Sequence, residues 1–366
     1  MGRASRLRVG FFCLATGCYQ GIDTGAIDTD GSTGGSGDAG DATAASGSNS
    51  STGASSSAGT TAGSTAGTTA SSTSAADTTG ASASESATDA SAGSESTGGD
   101  AASQVCERWS ADRADMSEGA WSGSVGACTP GDIADQGRVN ALRVLNLYRW
   151  LAGLPAITLD ENRNQLGQAC ALMMDANDDL SHTPPTSWTC YSGDGAMAAG
   201  NSNIATTPAV ASIDLYMVDP GNPDTLGHRR WILSNSIGPT GIGSTDGYSC
   251  LWTLGGSGNA GAAWTAYPSP GPYPFEASTL GWTSLDETGW SIQSDSIELG
   301  GAQVTITQDG EDRPVTVHAL GSGYGSSSAI SMIPIGWQLT AGASYHVSVA
   351  NVGTPIEYDV DVVDCG

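Results

Sequence analysis

Residues 140–159 of this 366-residue chain have the sequence NALRVLNLYRWLAGLPAITL, which predicts an amphipathic helix followed by a tight turn. The side chains of its inner face recur at the three- and four-residue spacing of a helix. They are Val139, Leu142, Leu145 and Arg149, with Leu147, Trp150 and Leu151 widening the stripe. Gly153 supplies a left-handed C-terminal stop, and Pro155 prevents the helix from continuing.

A second helix is predicted directly after this turn. Thr158 and Glu161 have the three-residue spacing of a capping box, in which each side chain binds the backbone N–H of the other residue. The inner face of this helix then recurs at spacings of four and three: Leu166, Cys170 and Met173. The chain therefore predicts two short amphipathic helices in succession.

Two histidine motifs follow the predicted helices. The first is Ser181-His182, and the second is Gly227-His228, which opens the sequence GHRRWIL at residues 227–233. The sequence GNSNIA lies between them at residues 200–205, and a strand-like IGPTGIG follows at residues 237–243. This segment therefore contains two predicted helices, two histidine motifs and a predicted strand.

In order and spacing these elements resemble the CAP superfamily (cysteine-rich secretory proteins, antigen 5 and pathogenesis-related 1 proteins), also called the SCP domain. Residues 140–159, with Asn146, Tyr148 and Arg149, are similar to its opening helix. His182 falls at the first histidine of the family, and Gly227-His228 resembles the second motif in its bacterial form. The resemblance covers residues 133–268. It implies an α-β-α sandwich with a large open cleft, where two histidines and two acidic residues often hold a divalent metal.

The chain departs from the family pattern at the acidic positions. Where the family usually has Gly-Glu-Asn-Ile, Asn201 and Ser202 replace the glutamate, and Asp214 and Asp219 are the nearest carboxylates before the second histidine. The two histidines with Asp219 would make a minimal open site for a divalent metal such as zinc, whose stable sites take three or four protein ligands. The alternative is a pair of histidines hydrogen-bonded within a cleft that holds no metal.

Other catalytic signatures are weak. The chain contains no Gly-x-Ser-x-Gly elbow and no His-Glu-x-x-His helix. His318 and His346 alternate with apolar residues in strand patterns, which predicts that both face solvent. A Ser-His-Asp arrangement of Ser181 or Ser202 with His182 is a further alternative, since triads are recognised by geometry rather than by chain order. We expect a binding protein rather than an enzyme.

Arg229 and Arg230 directly follow the second histidine and have two interpretations. Guanidinium groups in an acidic protein usually pair with carboxylates, which predicts ion pairs for both. Alternatively, they face an anionic ligand at the mouth of the cleft.

The charge of the chain excludes nucleic acid as a partner. Twelve cationic side chains, all arginine, stand against 38 carboxylates, for a net charge of -26. Such a field repels polyanions and anionic membrane surfaces. All ten tryptophans lie at Trp109 or later, so the apolar side chains needed for a core are concentrated in the later part of the chain.

The N-terminal part predicts export and a tether. Three arginines precede an apolar run at residues 9–15, a pattern typical of a signal peptide, which we assign to residues 1–18. The run ends in a lipobox-like LATGC, so Cys18 is the predicted site of lipidation, and an ordinary secretory signal is the alternative. Residues 19–103 are rich in Ser, Thr, Gly and Ala and predict a disordered tether.

Six cysteines remain beyond Cys18: Cys106, Cys128, Cys170, Cys190, Cys250 and Cys365. An even number in an exported chain without a Cys-x-x-Cys pair predicts three disulfides, and scattered buried thiols are the alternative. Short loops favour Cys106–Cys128 and Cys170–Cys190, which leaves Cys250–Cys365.

Residues 269–366 are predicted to form a small antiparallel β-sandwich, for which an immunoglobulin-like topology is one option. Apolar residues alternate with polar ones in several short segments, and Asp309-Gly310 marks a hairpin turn. A proline-rich stretch at residues 267–274 predicts a stiff extended linker before the sandwich.

These observations predict an α+β chain with a disordered tether, a CAP-like domain over residues 104–268 and a β-sandwich. We expect an exported, lipid-anchored protein of the outer membrane or cell surface that contacts the membrane only through its N-terminal lipid. Its cleft is expected to bind a lipid, glycan or peptide. One alternative is a metal-assisted hydrolase of peptide or cell-envelope material that uses His182 and His228, and another is a structural or adhesive envelope protein.

Overall fold

The computed structural model describes residues 97–366. The predicted signal peptide, Cys18 and the tether up to residue 96 lie outside the described residues. Helix α1 (Thr97–Asp112) begins within the stretch assigned to the tether, so residues 97–103 are helical. This helix has a core to pack against, because Val105 and Trp109 are buried on its inner face.

The first half combines helices with one small sheet, in agreement with the predicted α+β class. The helices are α2 (Asp135–Leu151), α3 (Glu161–Asn177), α4 (Gly193–Gly200), α5 (Ala209–Val218) and α6 (Gly227–Ile232). The antiparallel strands β1 (Ser202–Ala205), β2 (Ile242–Ser244) and β3 (Ser249–Trp252) pair in the order β1-β3-β2. Helix α3 packs on β2 and β3, while α5 packs on α2 and β3. None of the helices within residues 97–366 is long and apolar enough to cross a lipid bilayer.

Helix α2 confirms most of the predicted inner face. Leu145 and Arg149 are buried, as predicted, but Val139 is 50% exposed. At the start of the helix, Arg138 and Ala141 face the core instead of Val139. Gly153 has a φ of +70°, and the next residue donates its N–H to the carbonyl of Arg149, which closes the helix end as predicted.

The start of α3 differs from the predicted capping box. Asp160, not Thr158, is the N-cap, and its side chain accepts a hydrogen bond from the backbone N–H of Arg163. The carbonyl of Thr158 and the N–H of Asp160 both bond to Thr240, so this segment stays extended beside a distant part of the chain. The helix can therefore begin only after Asp160.

The second half contains two sheets. Their strands are β4 (Thr265–Tyr267), β5 (Gly271–Pro274), β6 (Trp290–Ser294), β7 (Gln303–Gln308), β8 (Glu311–Asp312), β9 (Val315–Ala319), β10 (Ser328–Pro334), β11 (Ser344–Ala350) and β12 (Ile356–Val363). One sheet has the order β4-β6-β10-β9, the other β5-β12-β11-β7-β8, and short helices at Phe275–Ser278 and Leu285–Thr288 (α7) precede β6. All pairings are antiparallel except β5 with β12. Strand β4 belongs to these sheets, and a domain boundary at residue 268 stays a prediction.

The proline-rich stretch at residues 267–274 is extended but is not a linker, and that prediction was wrong. Its second half is β5, which pairs in parallel with β12 at the edge of the five-stranded sheet. Pro272 and Pro274 are tolerated there because an edge strand needs hydrogen-bond donors on one side only. The predicted alternation is confirmed elsewhere, since His318 and His346 are exposed while the alternating apolar residues are buried, namely Tyr345, Val347 and Val349 of β11 and Ile356, Tyr358, Val360 and Val362 of β12.

All six predicted cysteines form disulfides, but the predicted pairing was wrong. The bonds are Cys106–Cys365, Cys128–Cys190 and Cys170–Cys250. Loop length favoured near neighbours in sequence, whereas the fold decides which cysteines meet. Helix α1, which carries Cys106, packs on β5, and β5 pairs with β12, which ends two residues before Cys365. Helix α3, which carries Cys170, packs on β3, which carries Cys250.

Candidate functional site

His182 lies in the connection between α3 and α4 and is half-buried. Its Nδ1 is 2.8 Å from the carbonyl oxygen of Ala199, in the last turn of α4. A carbonyl oxygen only accepts hydrogen bonds, so Nδ1 carries the proton. In the neutral ring the lone pair therefore belongs to Nε2.

His228 is the second residue of α6, and its ring is held in the same way. Its Nδ1 lies 2.8 Å from Oδ1 of Asp219, the buried residue that caps the C-terminal end of α5 in a left-handed conformation. Asp219 also accepts from Nδ2 of Asn222 at 2.7 Å and from the backbone N–H of Arg229 at 3.2 Å. The short loop between α5 and α6 is thus organised around one carboxylate, which fixes the orientation of the imidazole. The ring of Tyr216 packs on it with centroids 5.0 Å apart.

His182 and His228 lie within electrostatic range of each other. Burial lowers the pKa of His182, and the nearby His228 lowers it further, while the hydrogen bond to Ala199 opposes both effects. The stretch from the end of α4 to β1 contacts both histidines: the carbonyl of Ala199 accepts from the ring of His182, and Nδ2 of Asn203 donates to the backbone carbonyl of His228 at 3.0 Å. This segment positions both histidines without supplying a carboxylate.

Asp214, the other acidic residue considered, has a structural role. It binds both terminal nitrogens of Arg113, at 2.8 and 2.7 Å, and accepts from the hydroxyl of Tyr148 at 2.7 Å. These bonds join α1, α2 and α5. Of the serines considered, Ser181 uses its hydroxyl to accept from the N–H of Thr183, and Ser202 is buried in β1.

The donor set fits a resident zinc ion poorly. Nε2 of each imidazole suits a metal, and a carboxylate behind Nδ1 is typical of histidine ligands. However, Asp219 is that carboxylate, so it does not stand beside the rings as a third ligand. Within residues 97–366 no group of three or more His, Cys, Asp or Glu side chains is placed to hold an ion. The described residues therefore offer two ligands here, where a stable zinc site takes three or four.

Both interpretations of Arg229 and Arg230 were wrong, because these side chains are buried and bind backbone carbonyls. Arg229 donates to the carbonyls of Met217, Val218 and Gly289, and Arg230 donates to those of Thr225, Gly321 and Ser326. Burial lowers the pKa of both guanidinium groups. Their bonds attach α6, and with it His228, to the second half of the chain.

Sequence reasoning missed two residues of the site, Asn203 and Asn222. Both side chains are amides that hold another residue of the site in place: Asn203 binds His228, and Asn222 binds Asp219. Neither residue belongs to a recognisable sequence motif. The position of Asn222 three residues after Asp219, in a loop rich in turn-forming residues, is the only signal that pointed to it.

Comparison with known proteins finds one similarity. Residues 142–253 match the model of the cysteine-rich secretory protein family, CAP. The match runs from α2 to β3 and includes both histidines and Asp219. No curated protein and no solved structure gives a match. The three disulfides and the match to the CAP family together indicate a secreted or extracellular protein.

Proposed function

We propose that this chain, which carries a CAP domain over residues 142–253, is a secreted binding protein whose ligand docks at His182 and His228. One observation carries the proposal: the carbonyl of Ala199 and the carboxylate of Asp219 hold the two rings through Nδ1, so the lone pair of each neutral ring is on Nε2. Such a pair matches a ligand that offers O–H or N–H donors. Glycans and peptides of the cell envelope have these groups in quantity, whereas the acyl chain of a lipid has none.

A hydrolase is the second candidate, and the Asp219–His228 hydrogen bond favours it. A carboxylate that holds Nδ1 of an imidazole is the arrangement by which many enzymes prepare Nε2 to accept a proton. In that case His228 would act as the base and His182 would bind the substrate. We rank this candidate second because Asp219 is already bound to the ring of His228. In addition, the described residues contain no group of three or more side chains placed to hold a metal ion.

Calorimetric titration of the full chain with soluble peptidoglycan fragments tests the proposal, because these fragments offer both hydroxyl and amide donors. We expect His182→Asn and His228→Asn to weaken binding at least about tenfold, the usual cost of leaving a ligand donor unpaired. His318→Asn is the matched control, since it removes an exposed imidazole on β9. Absence of binding, or equal binding by all three variants, would contradict the proposal.

Mass spectrometry of the same mixtures separates binding from catalysis. We expect the fragments to remain intact and the purified chain to contain well under one equivalent of zinc. Cleaved fragments together with a full equivalent of zinc, both lost in His228→Asn, would overturn the binding proposal in favour of the metal-assisted hydrolase.

We also propose that the chain is held at the cell surface by lipid on Cys18, on the strength of the lipobox-like sequence. Detergent phase partition of the chain expressed in a bacterial host tests this. The unmodified chain should enter the detergent phase and Cys18→Ser should stay in the aqueous phase. Cys13→Ser, within the apolar run of the signal, is the control and should behave like the unmodified chain. Detergent partition of Cys18→Ser would show that the anchor is wrong.

A further inference from the structure

A cavity of about 190 Å³ lies apart from the histidine pair, between the C-terminal end of α2, residues 155–158, residues 235–239 and residues 258–260. Its lining includes neither His182 nor His228. Among the residues of the described chain that line it, Arg149 is the only charged one. This is unusual in a protein with 38 carboxylates and twelve arginines.

Arg149 is only 1% exposed and has no carboxylate partner among residues 97–366. Its Nε donates to the carbonyl of Pro155 at 2.9 Å, and Nη1 donates to the carbonyls of Ile232 and Ser234 at 2.7 and 3.0 Å. Nη2 makes no hydrogen bond to the described part of the chain. A buried cation is costly unless its donors are satisfied, and Nη2 is the donor of Arg149 that remains available for a ligand.

The rest of the cavity indicates what kind of anion fits. Burial lowers the pKa of Arg149 to about 10, so the guanidinium still carries its charge at neutral pH. Ile157 and Ile237 give the walls an apolar character. Thr158 and Asn259 add polar side chains that make no hydrogen bond within the described residues. The site therefore combines one cation with apolar surface.

We infer that this cavity binds a small organic carboxylate, with the carboxylate on Nη2 of Arg149 and the apolar body against Ile157 and Ile237. Guanidinium–carboxylate hydrogen bonds are charge-assisted and among the strongest in proteins. The size agrees, because a cavity of about 150 Å³ holds one benzene molecule. This inference is independent of the function proposed for the histidine pair.

Calorimetric titration of the full chain with benzoate, benzamide and sulfate tests the chemistry of the cavity. Benzoate should bind saturably with one site per chain. Benzamide has the same shape without the charge, and it should bind at least about tenfold more weakly. Three results would each overturn the inference. They are equal affinity for benzamide and benzoate, binding of sulfate as tight as that of benzoate, and no saturable binding of benzoate.

A substitution that fills the cavity tests whether benzoate binds there, and it leaves the hydrogen bonds of Arg149 to the protein intact. Ala156 lines the cavity at an exposed position, so Ala156→Phe should abolish benzoate binding while the chain still folds. Ala111→Phe makes the same change at an exposed position on α1 and should leave benzoate binding unchanged. Unchanged binding by Ala156→Phe, with the same melting temperature as the unmodified chain, would show that benzoate binds elsewhere.

Discussion

The hydrogen bond that His228 donates to Asp219 can be compared with a second bond of the same kind in the chain. Oδ1 of Asp219 lies 2.8 Å from Nδ1 of His228, and Oδ1 of Asp359 lies 2.7 Å from Nδ1 of His346. The two bonds differ in surroundings. Asp219 is 1% exposed, whereas the side chain of Asp359 on β12 is 64% exposed. Asp219→Asn and Asp359→Asn therefore make one chemical change in two environments.

The expected cost of Asp219→Asn follows from the three donors of that carboxylate. If the new amide oxygen faces His228 and Asn222, its NH₂ group faces the backbone N–H of Arg229, which loses its acceptor. Hydrogen bonds to charged groups contribute about 1.5–3 kcal/mol each, so losing one and weakening two should reduce the free energy of unfolding by about 2–4 kcal/mol. The exposed pair of Asp359 should contribute only about 0–1 kcal/mol.

Urea unfolding followed by tryptophan fluorescence at a pH where histidine is neutral measures both values. The chain offers ten tryptophans as probes, and the disulfides should be kept intact. Similar losses for the two variants, or a loss below about 1 kcal/mol for Asp219→Asn, would refute the claim that the buried carboxylate organises the loop between α5 and α6.

Three further predictions concern pH, the disulfides and α6. Burial lowers the pKa of His182 below its ordinary 6.5, so the ring of the unfolded chain is protonated first as the pH falls. The free energy of unfolding should therefore decrease below about pH 6.5. In urea titrations at several pH values, His182→Gln should reduce this decrease, and the same pH dependence for the variant and the unmodified chain would contradict the prediction. Removing Cys106–Cys365 by a double alanine change should cost about 3–5 kcal/mol of unfolding free energy, and a loss below about 1 kcal/mol would be contrary. Arg229→Lys keeps the charge but loses the forked donors, so thermal unfolding should show a loss of about 2–4 kcal/mol, and unmodified stability would count against the attachment of α6 to the second half of the chain.

The elements that could be predicted are those whose signal is local. The stop of α2 at Gly153 depends on one backbone conformation, and the burial pattern of β11 and β12 depends on a period of two. Each needs only a few neighbouring residues, so the sequence contains the information.

The predictions that were wrong concern features that depend on distant parts of the chain. Thr158 was a good local candidate for a cap, but its backbone is hydrogen-bonded to Thr240. The cysteines pair across 62, 80 and 259 positions because packing, not loop length, decides which ones meet. Arg229 finds carbonyl acceptors on another element, which no charge pattern in its own segment could indicate.

The site was partly predictable. The spacing of His182 and His228 placed both residues in one cleft through the resemblance to the family. Asp219 was predicted as a metal ligand beside them, and the structure shows its carboxylate bound to the ring of His228. Which nitrogen of each ring faces the protein depends on one carbonyl and one carboxylate, and only the folded structure shows them.

The most direct test of the central claim is the tautomer of the two rings, measured by long-range ¹H–¹⁵N spectra of the full chain labelled with ¹⁵N-histidine. The chain has four histidines, so each can be assigned by single substitution. Above pH 7 we predict that His182 and His228 both carry the proton on Nδ1 and that both Nε2 signals shift when peptidoglycan fragments are added. A proton on Nε2 of either ring in the free protein would contradict the account.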